Sequence, residues 1–171
     1  MAQKYSFQNY SKEHAARAIG SALPISIKKA VEVCNVLRNM RLEKAKRYLE
    51  RVVEGTQAVP YRRSKMDLGH KRGIGPGRYP KKTAAMLIRL LNSVEANAQF
   101  KGLSTADLVI SHISPNRASR PWHFGRQRRT KMKRTHVEIV VEEKKSEKKP
   151  EKSGAPGKDH KPNVEKKESK K

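Results

Sequence analysis

Leu108-Val-Ile-Ser-His-Ile113 and His136-Val-Glu-Ile-Val-Val141 flank a segment of 22 residues, 114–135, that holds eight Arg/Lys and no Asp or Glu. In the second flank Val137, Ile139 and Val141 fall on one side of a two-residue period, as in a strand with one face buried. The cations between the flanks are Arg117, Arg120, Arg126, Arg128, Arg129, Lys131, Lys133 and Arg134, with Trp122-His123-Phe124-Gly125 as an aromatic island among them. The simplest geometry is a long β-hairpin over residues 106–141, apolar at its base and cationic along its distal arms and tip. Like charges without acidic neighbours repel one another, and become favourable beside a polyanion, where counterion release supplies free energy. Trp122, Phe124 and the arginine planes suit stacking on unpaired bases, worth about 1–3 kcal/mol per base. The bland alternative is a disordered basic loop joining two strands; apolar flanks on both sides weigh against it.

Working outward, the 171-residue chain carries 40 Lys+Arg against 16 Asp+Glu, a formal net charge of +24. Residues 142–171 hold 11 of the Lys and 7 of the acids, so the preceding residues keep 29 basic against 9 acidic groups, a net +20. This is a basic body, and the Lys/Glu-rich tail 142–171 is too poor in apolar residues to offset its ordering entropy, so disorder is expected there. A pI near 10.5 points to nucleic acid. No apolar run approaches the ~18 residues of a membrane span, and no membrane insertion is expected. Met1-Ala-Gln-Lys-Tyr-Ser6 lacks a signal-peptide core. The single cysteine, Cys34, has no internal disulfide partner and reads as a buried small hydrophobe in a reducing compartment.

Residues 1–14 are expected to form a flexible N-terminal arm, and residues 15–141 a single domain. A strand from Ala15 ends near Pro24. Ser26 then stands as a helix N-cap, and Ile27, Ala30, Val31, Cys34 and Leu37 repeat at helical spacing. A second helix places Leu42, Ala45, Leu49, Val52 and Val53 on one face and stops at Gly55. Residues 60–82 read as an irregular basic loop with Arg62, Arg63, Lys65, Lys71, Arg72, Arg78, Lys81 and Lys82 and the lone acid Asp67. Gly73-Ile-Gly-Pro-Gly77 fits neither phosphate-loop template, because Arg78 takes the last glycine position and no Walker sequence can be drawn. A backbone able to approach polyphosphate closely, with cations on each side, is the better reading. Pro80 opens a third, long helix with Ala84, Leu87, Ile88, Leu91, Val94 and Ala98 inward, stopping at Gly102.

An enzyme would need a site. His14, His70, His112, His123, His136 and His160 show no metal-ligand spacing, and Cys34 has no histidine near it in sequence. No metal, cofactor or catalytic residue is expected. Glu95 reads as an ion-pair partner for nearby cations. His112 and His136 stay open between pairing across the hairpin and bonding RNA, and Asn92 and Asn97 between RNA and an inter-helix joint. Tyr48, Tyr61 and Tyr79 are open between base stacking and completing a core edge. Two rivals from other classes remain: a DNA-binding architectural protein whose hairpin enters a groove, and an RNA-modifying enzyme. A dimer-forming surface with an apolar wedge at the tip would mark the first rival, and a bound metal or nucleotide the second.

Four segments carry a family resemblance: Leu42-Glu-Lys-Ala-Lys-Arg-Tyr-Leu49; Val59-Pro-Tyr-Arg-Arg63; Gly77-Arg-Tyr-Pro-Lys-Lys82 running into Leu90-Leu-Asn-Ser-Val-Glu-Ala-Asn-Ala98; and Phe124-Gly-Arg126 followed by His136-Val-Glu-Ile-Val140. Together they resemble the universal large-subunit ribosomal protein family called L-twenty-two in bacteria and L-seventeen in eukaryotes. The second and third segments look like its archaeal–eukaryotic branch. The resemblance implies an α+β domain with three helices on a three-stranded antiparallel sheet, a protruding hairpin, and docking on large-subunit rRNA. It implies an inner hairpin end, Trp122, His123, Phe124, Gly125 and Arg126, that helps line the polypeptide exit tunnel. The implied partners are rRNA, neighbouring large-subunit proteins and the nascent chain, in the cytoplasm, without homo-oligomers. One departure is visible: the stretch from His112 to Phe124 is shorter than the family pattern.

Overall fold

The computed structural model describes residues 5–11, 13–65 and 67–144. The tail expected to be disordered lies outside the described residues beyond 144, as do the first four residues of the expected N-terminal arm. Three strands form the central antiparallel sheet: β1 (Ala15–Leu23), β5 (Leu108–Arg117) and β6 (Thr135–Glu143), in the order β1-β6-β5. Helices α1 (Ile27–Leu37), α2 (Leu42–Glu54) and α3 (Lys81–Phe100) follow the order read from the sequence. Helices α1 and α3 pack on one face of the sheet, and α2 lies against α3. The chain is therefore α+β with three helices, as expected.

The packing face follows from register. Ala16 and Ala18 of β1 pair with Val141 and Ile139 of β6, and all four join the same buried cluster as Leu87, Leu91 and Val94 of α3. On β5 the inward residues are Leu108, Ile110 and Ile113, a break in strict alternation. The ladder runs Ile110↔Val141 and then His112↔Val140, leaving Ser111 as an extra residue. This bulge returns Ile113 to the core face, and the Ser111 hydroxyl donates to the Val140 carbonyl at 3.2 Å. Each Leu or Ile fully buried here contributes about 1.5–3 kcal/mol relative to exposure.

The loop expected to be irregular is a second small antiparallel sheet. Strands β2 (Val59–Pro60), β3 (His70–Lys71) and β4 (Gly75–Arg78) pair in the order β2-β4-β3. These strands are too short and too rich in Gly and Pro to show a two-residue period. Gly77 is required by close approach: a Cβ there would sit 2.9 Å from Ile74 Cδ1 and 3.3 Å from the Val59 carbonyl oxygen. Pro60 takes an edge strand, the position where a missing N–H is tolerated. Gly55 closes α2 in the left-handed region at φ 97°, as the sequence implies. Pro80 is the N-cap of α3, so the helix begins at Lys81, one position after the expected start.

The outer face of the central sheet is polar and is crossed by residues 5–10. Glu138, only 4% exposed, accepts hydrogen bonds from the Ser6 backbone N–H at 2.8 Å, the Ser6 hydroxyl at 2.7 Å and Asn116 Nδ2 at 3.2 Å. Phe7 stacks on His112 with centroids 4.4 Å apart, and Arg17 lies over the Tyr5 ring at 4.3 Å. Burial, then the nearby Arg38, hold His112 below its ordinary value against the opposing pull of Glu138. His112 and His136 do not pair: β5 sets His112 opposite Val140, and His136 Nδ1 accepts the Ala22 N–H at 3.2 Å.

Cys34 is fully buried in α1, and burial pushes its thiol up to about 12 despite Arg38. Alkylation of the native thiol at neutral pH is expected to be at least ~10³-fold slower than in the denatured chain, since reaction requires opening. A time course with a thiol reagent in buffer and in denaturant measures this; equal rates would contradict a closed core at α1.

Candidate nucleic-acid interface

A buried carboxylate organises the basic loop. Glu32 points inward from α1 at 2% exposure. Its oxygens accept the backbone N–H groups of Arg62 at 3.2 Å, Arg63 at 3.1 Å and Ser64 at 2.8 Å. The turn is thus held from within, and the Arg62, Arg63 and Lys65 side chains are left exposed. The sequence reading missed Glu32, because an acid on an amphipathic helix defaults to the solvated face. Tyr61, just before the turn, is buried, and its hydroxyl has no hydrogen-bond partner. Burial pushes that hydroxyl above its ordinary value and Glu32 adds to the rise, while Arg78 opposes it. It therefore remains a proton donor at neutral pH.

The hairpin differs from the expected long, regular arm. Its ladder stops at Arg117↔Thr135, and beyond it the described bridge is Trp122↔Lys131 alone. The two branches stay together through single bonds. Met132 N–H donates to the Pro121 carbonyl at 2.8 Å, and His123 N–H to that of Thr130 at 2.9 Å. Arg120 Nε braces the Met132 carbonyl at 3.0 Å. A short 3-10 turn, Gly125–Gln127, closes the end. Pro121 supplies no N–H to a ladder, and the crowded cations disfavour a tighter one. Trp122 and Phe124 remain exposed, with Lys131 Nζ 4.4 Å from the Trp122 ring centroid.

The base of this segment lies beside the body and does not stand clear of it. A cleft of about 290 Å³ joins Arg117, Arg120, Lys133 and Arg134 to Lys65 and Arg78 of the basic loop. Its floor includes Ser26 to Lys29 at the start of α1, together with Tyr61. A neighbouring cleft of about 550 Å³ brings His123 and Lys131 beside Lys82 and Lys29. No carboxylate lines either cleft. Lys28 lines the first cleft and Lys29 both, although the sequence reading set the two aside as cations outside the α1 stripe.

Of the other cations read from the sequence, Arg62, Arg63, Arg72 and Lys81 are exposed elsewhere, and Lys71 is half-buried with its Nζ 5.7 Å from the Tyr79 ring centroid. Lys81 Nζ also reaches the Glu54 carbonyl at 3.4 Å, at the end of α2. Arg126, Arg128 and Arg129 sit exposed at the distal turn. Two ion pairs occur among the described residues, Lys46–Glu95 and Arg47–Glu43, so no hairpin cation is neutralised by a carboxylate there. Glu95 is thus an ion-pair partner, as read. Asn97 instead bonds the Arg17 carbonyl of β1 at 2.9 Å, and Tyr48 the Ala58 carbonyl at 3.2 Å. No group of three metal-ligating side chains is found among the described residues, and no described helix is long and apolar enough to cross a membrane.

Comparison with known proteins adds a family to this geometry. The family described as ribosomal protein L22p/L17e matches residues 18–142. The chain is 43% identical over 142 residues to the large ribosomal subunit protein uL22 of Ignicoccus hospitalis, covering 77% of this chain and 89% of that protein. It is 38% identical over 146 residues to that of Archaeoglobus fulgidus (81% and 94% covered). With that of Methanosphaera stadtmanae the identity is 39% over 153 residues (84% and 99% covered).

Proposed function

The chain belongs to the ribosomal protein L22p/L17e family, and from that premise we propose that its cationic clefts and hairpin bind large-subunit rRNA. The family makes it a structural constituent of the large ribosomal subunit, and hence a cytoplasmic protein, on the archaeal side of the family. Its part in translation is architectural, without a reaction of its own.

One observation carries the RNA reading: cations from α1, the basic loop, β4 and both hairpin branches converge on shared clefts that no carboxylate lines. Such a surface stores unfavourable repulsion, which phosphates relieve on binding. Folded RNA presents phosphates in a fixed three-dimensional arrangement, so phosphate contacts supply most of the affinity and shape most of the specificity. On this reading Arg62, Arg63, Lys65, Lys71, Arg72, Arg78, Lys81 and Lys82 work with the hairpin cations as one interface. The distal segment, with its irregular pairing, orders further on rRNA and extends as the protruding arm of the family. Trp122 to Arg126 then lie at the tunnel wall near the nascent polypeptide, and the globular part lies near the exit, against neighbouring proteins and without self-association.

The distal turn supplies the test. The triple variant Arg126→Glu, Arg128→Glu and Arg129→Glu is expected to enter large subunits poorly in competition with wild type, while the isolated protein keeps its thermal transition. These side chains are exposed and unpaired among the described residues, and such surface positions move stability by no more than about 0.5 kcal/mol. Quantifying the variant in purified subunits, with calorimetry on the free protein, measures both. Loss of the free protein's transition would contradict an outward-facing arm.

A further inference from the structure

We propose that the cleft at the start of α1 is a receptor for one unpaired RNA nucleotide, with its phosphate held by the first N–H groups of α1 and the Tyr61 hydroxyl. The proposal rests on the RNA reading above and names what that interface takes at the cleft against the start of α1. Helix α1 opens without a side-chain cap at Ser26. Its first internal bond runs from the Ala30 N–H to the Ser26 carbonyl at 2.9 Å. The N–H groups of Ile27, Lys28 and Lys29 thus stand at the positive end of an eleven-residue helix with no protein acceptor among the described residues. Such an end is an anion site.

Tyr61 is the second, independent observation. It lines this cleft at 2% exposure, yet its hydroxyl has no partner. A buried donor without an acceptor is rare in a folded protein, and a ligand oxygen is a direct remedy. Glu32, the buried carboxylate of the adjoining turn, is engaged by three backbone N–H groups and does not accept from Tyr61. Arg78 and Arg134 also line the cleft and add bidentate donors suited to phosphate, while the Arg120 guanidinium is engaged by hairpin carbonyls.

Size selects a nucleotide over a bare anion. The cleft holds about 290 Å³, roughly ten water volumes at ~30 Å³ each, which leaves room for a sugar and base beside one phosphate. Ile27 and the Tyr61 ring supply apolar wall for them. A paired base keeps its edge and faces in the duplex, so only a nucleotide turned out of the helix fills the chamber.

Tyr61→Phe tests this at constant charge. The free protein loses no hydrogen bond by it, so its thermal midpoint is expected to be unchanged or higher. Full-length protein is titrated with 5′-AMP, with adenosine and with inorganic phosphate, following backbone amide resonances. Binding of wild type and variant to a large-subunit rRNA fragment is measured in parallel across salt concentrations. The expected result is that 5′-AMP shifts the Ile27, Lys28 and Lys29 amides and the Tyr61 ring, more strongly than either part alone. In Tyr61→Phe its affinity falls about tenfold, while the salt slope of rRNA binding stays the same because no cation is lost. Shifts scattered over exposed lysines, with equal 5′-AMP affinity in the variant, would overturn the receptor and leave the RNA reading standing. Failure of the wild-type protein to bind the rRNA fragment would overturn the RNA reading and the identity of the ligand together.

Discussion

Replacing Arg117, Lys133 and Arg134 together by glutamine is expected to lower affinity for large-subunit rRNA by on the order of 10²–10³-fold at 0.1 M salt, with the fold intact. The three side chains converge on the α1 cleft from the two hairpin branches, and none is paired with a carboxylate among the described residues. Each phosphate contact removed flattens the logarithmic salt dependence by about 0.7–0.9. Three contacts therefore remove between about two and three from the slope. The magnitude separates this result from a generic loss of charge. If the chain bound RNA through diffuse attraction alone, removing three of its 40 basic residues would cost little. Arg120 is left in place because its guanidinium braces the Met132 and Lys131 carbonyls across the hairpin. Removing it would mix a structural effect with an electrostatic one. Filter binding or fluorescence anisotropy over a salt series, with a melting curve for each protein, measures the effect.

Glu32→Ala is expected to have the largest effect on stability of any single change at the interface, about 3 kcal/mol. Three backbone donors lose one shared acceptor, at about 1 kcal/mol each. For a domain of this size the midpoint then falls by roughly 6–12 °C. The functional loss should exceed what the melting curve accounts for at the assay temperature, because Arg62, Arg63 and Lys65 lose the turn that presents them. Glu32→Gln keeps a carbonyl acceptor and is expected to lie between Ala and wild type. A Glu32→Ala protein with an unchanged midpoint would show that the turn is held by something other than this carboxylate.

These two residue sets differ in how visible they are in the sequence. The exposure of the hairpin cations is legible because a run of like charge without acidic neighbours has no partner in its own chain, and none is paired with a carboxylate among the described residues. The helices are legible because α2 and α3 keep a clean 3.6-residue stripe, and Gly55 marks a stop that only a left-handed residue satisfies. Glu32 was not legible: its role depends on a turn thirty residues away in sequence, and nothing in its own helix announces that partner. Lys28 and Lys29 look like solvated cations until the fold brings the hairpin base over the start of α1. Strands β2, β3 and β4 were missed because two-residue strands rich in Gly and Pro carry no period. The Ser111 bulge lay hidden in a broken alternation, Leu108, Ile110, Ile113, whose meaning appears only once the partner strand sets the register. The docking of Tyr5, Ser6 and Phe7 on the outer sheet face had no local signal, since its acceptor, Glu138, is more than a hundred residues downstream.

The hairpin illustrates the limit of periodicity in another way. Its apolar base is a ladder, as read, but the cationic part beyond Arg117↔Thr135 holds together by isolated bonds. In the free chain, repulsion along the arm opposes regular pairing. Phosphates packed along both branches would remove that repulsion, so a more regular arm is expected on RNA than off it.

The most direct test of the central claim is the salt dependence of the full chain's binding to large-subunit rRNA. The clefts and hairpin together predict six to ten phosphate contacts, and so a fall in affinity of ~10³–10⁵-fold between 50 and 200 mM salt. Affinity that changes by less than about tenfold over that range would contradict an interface built on these cations.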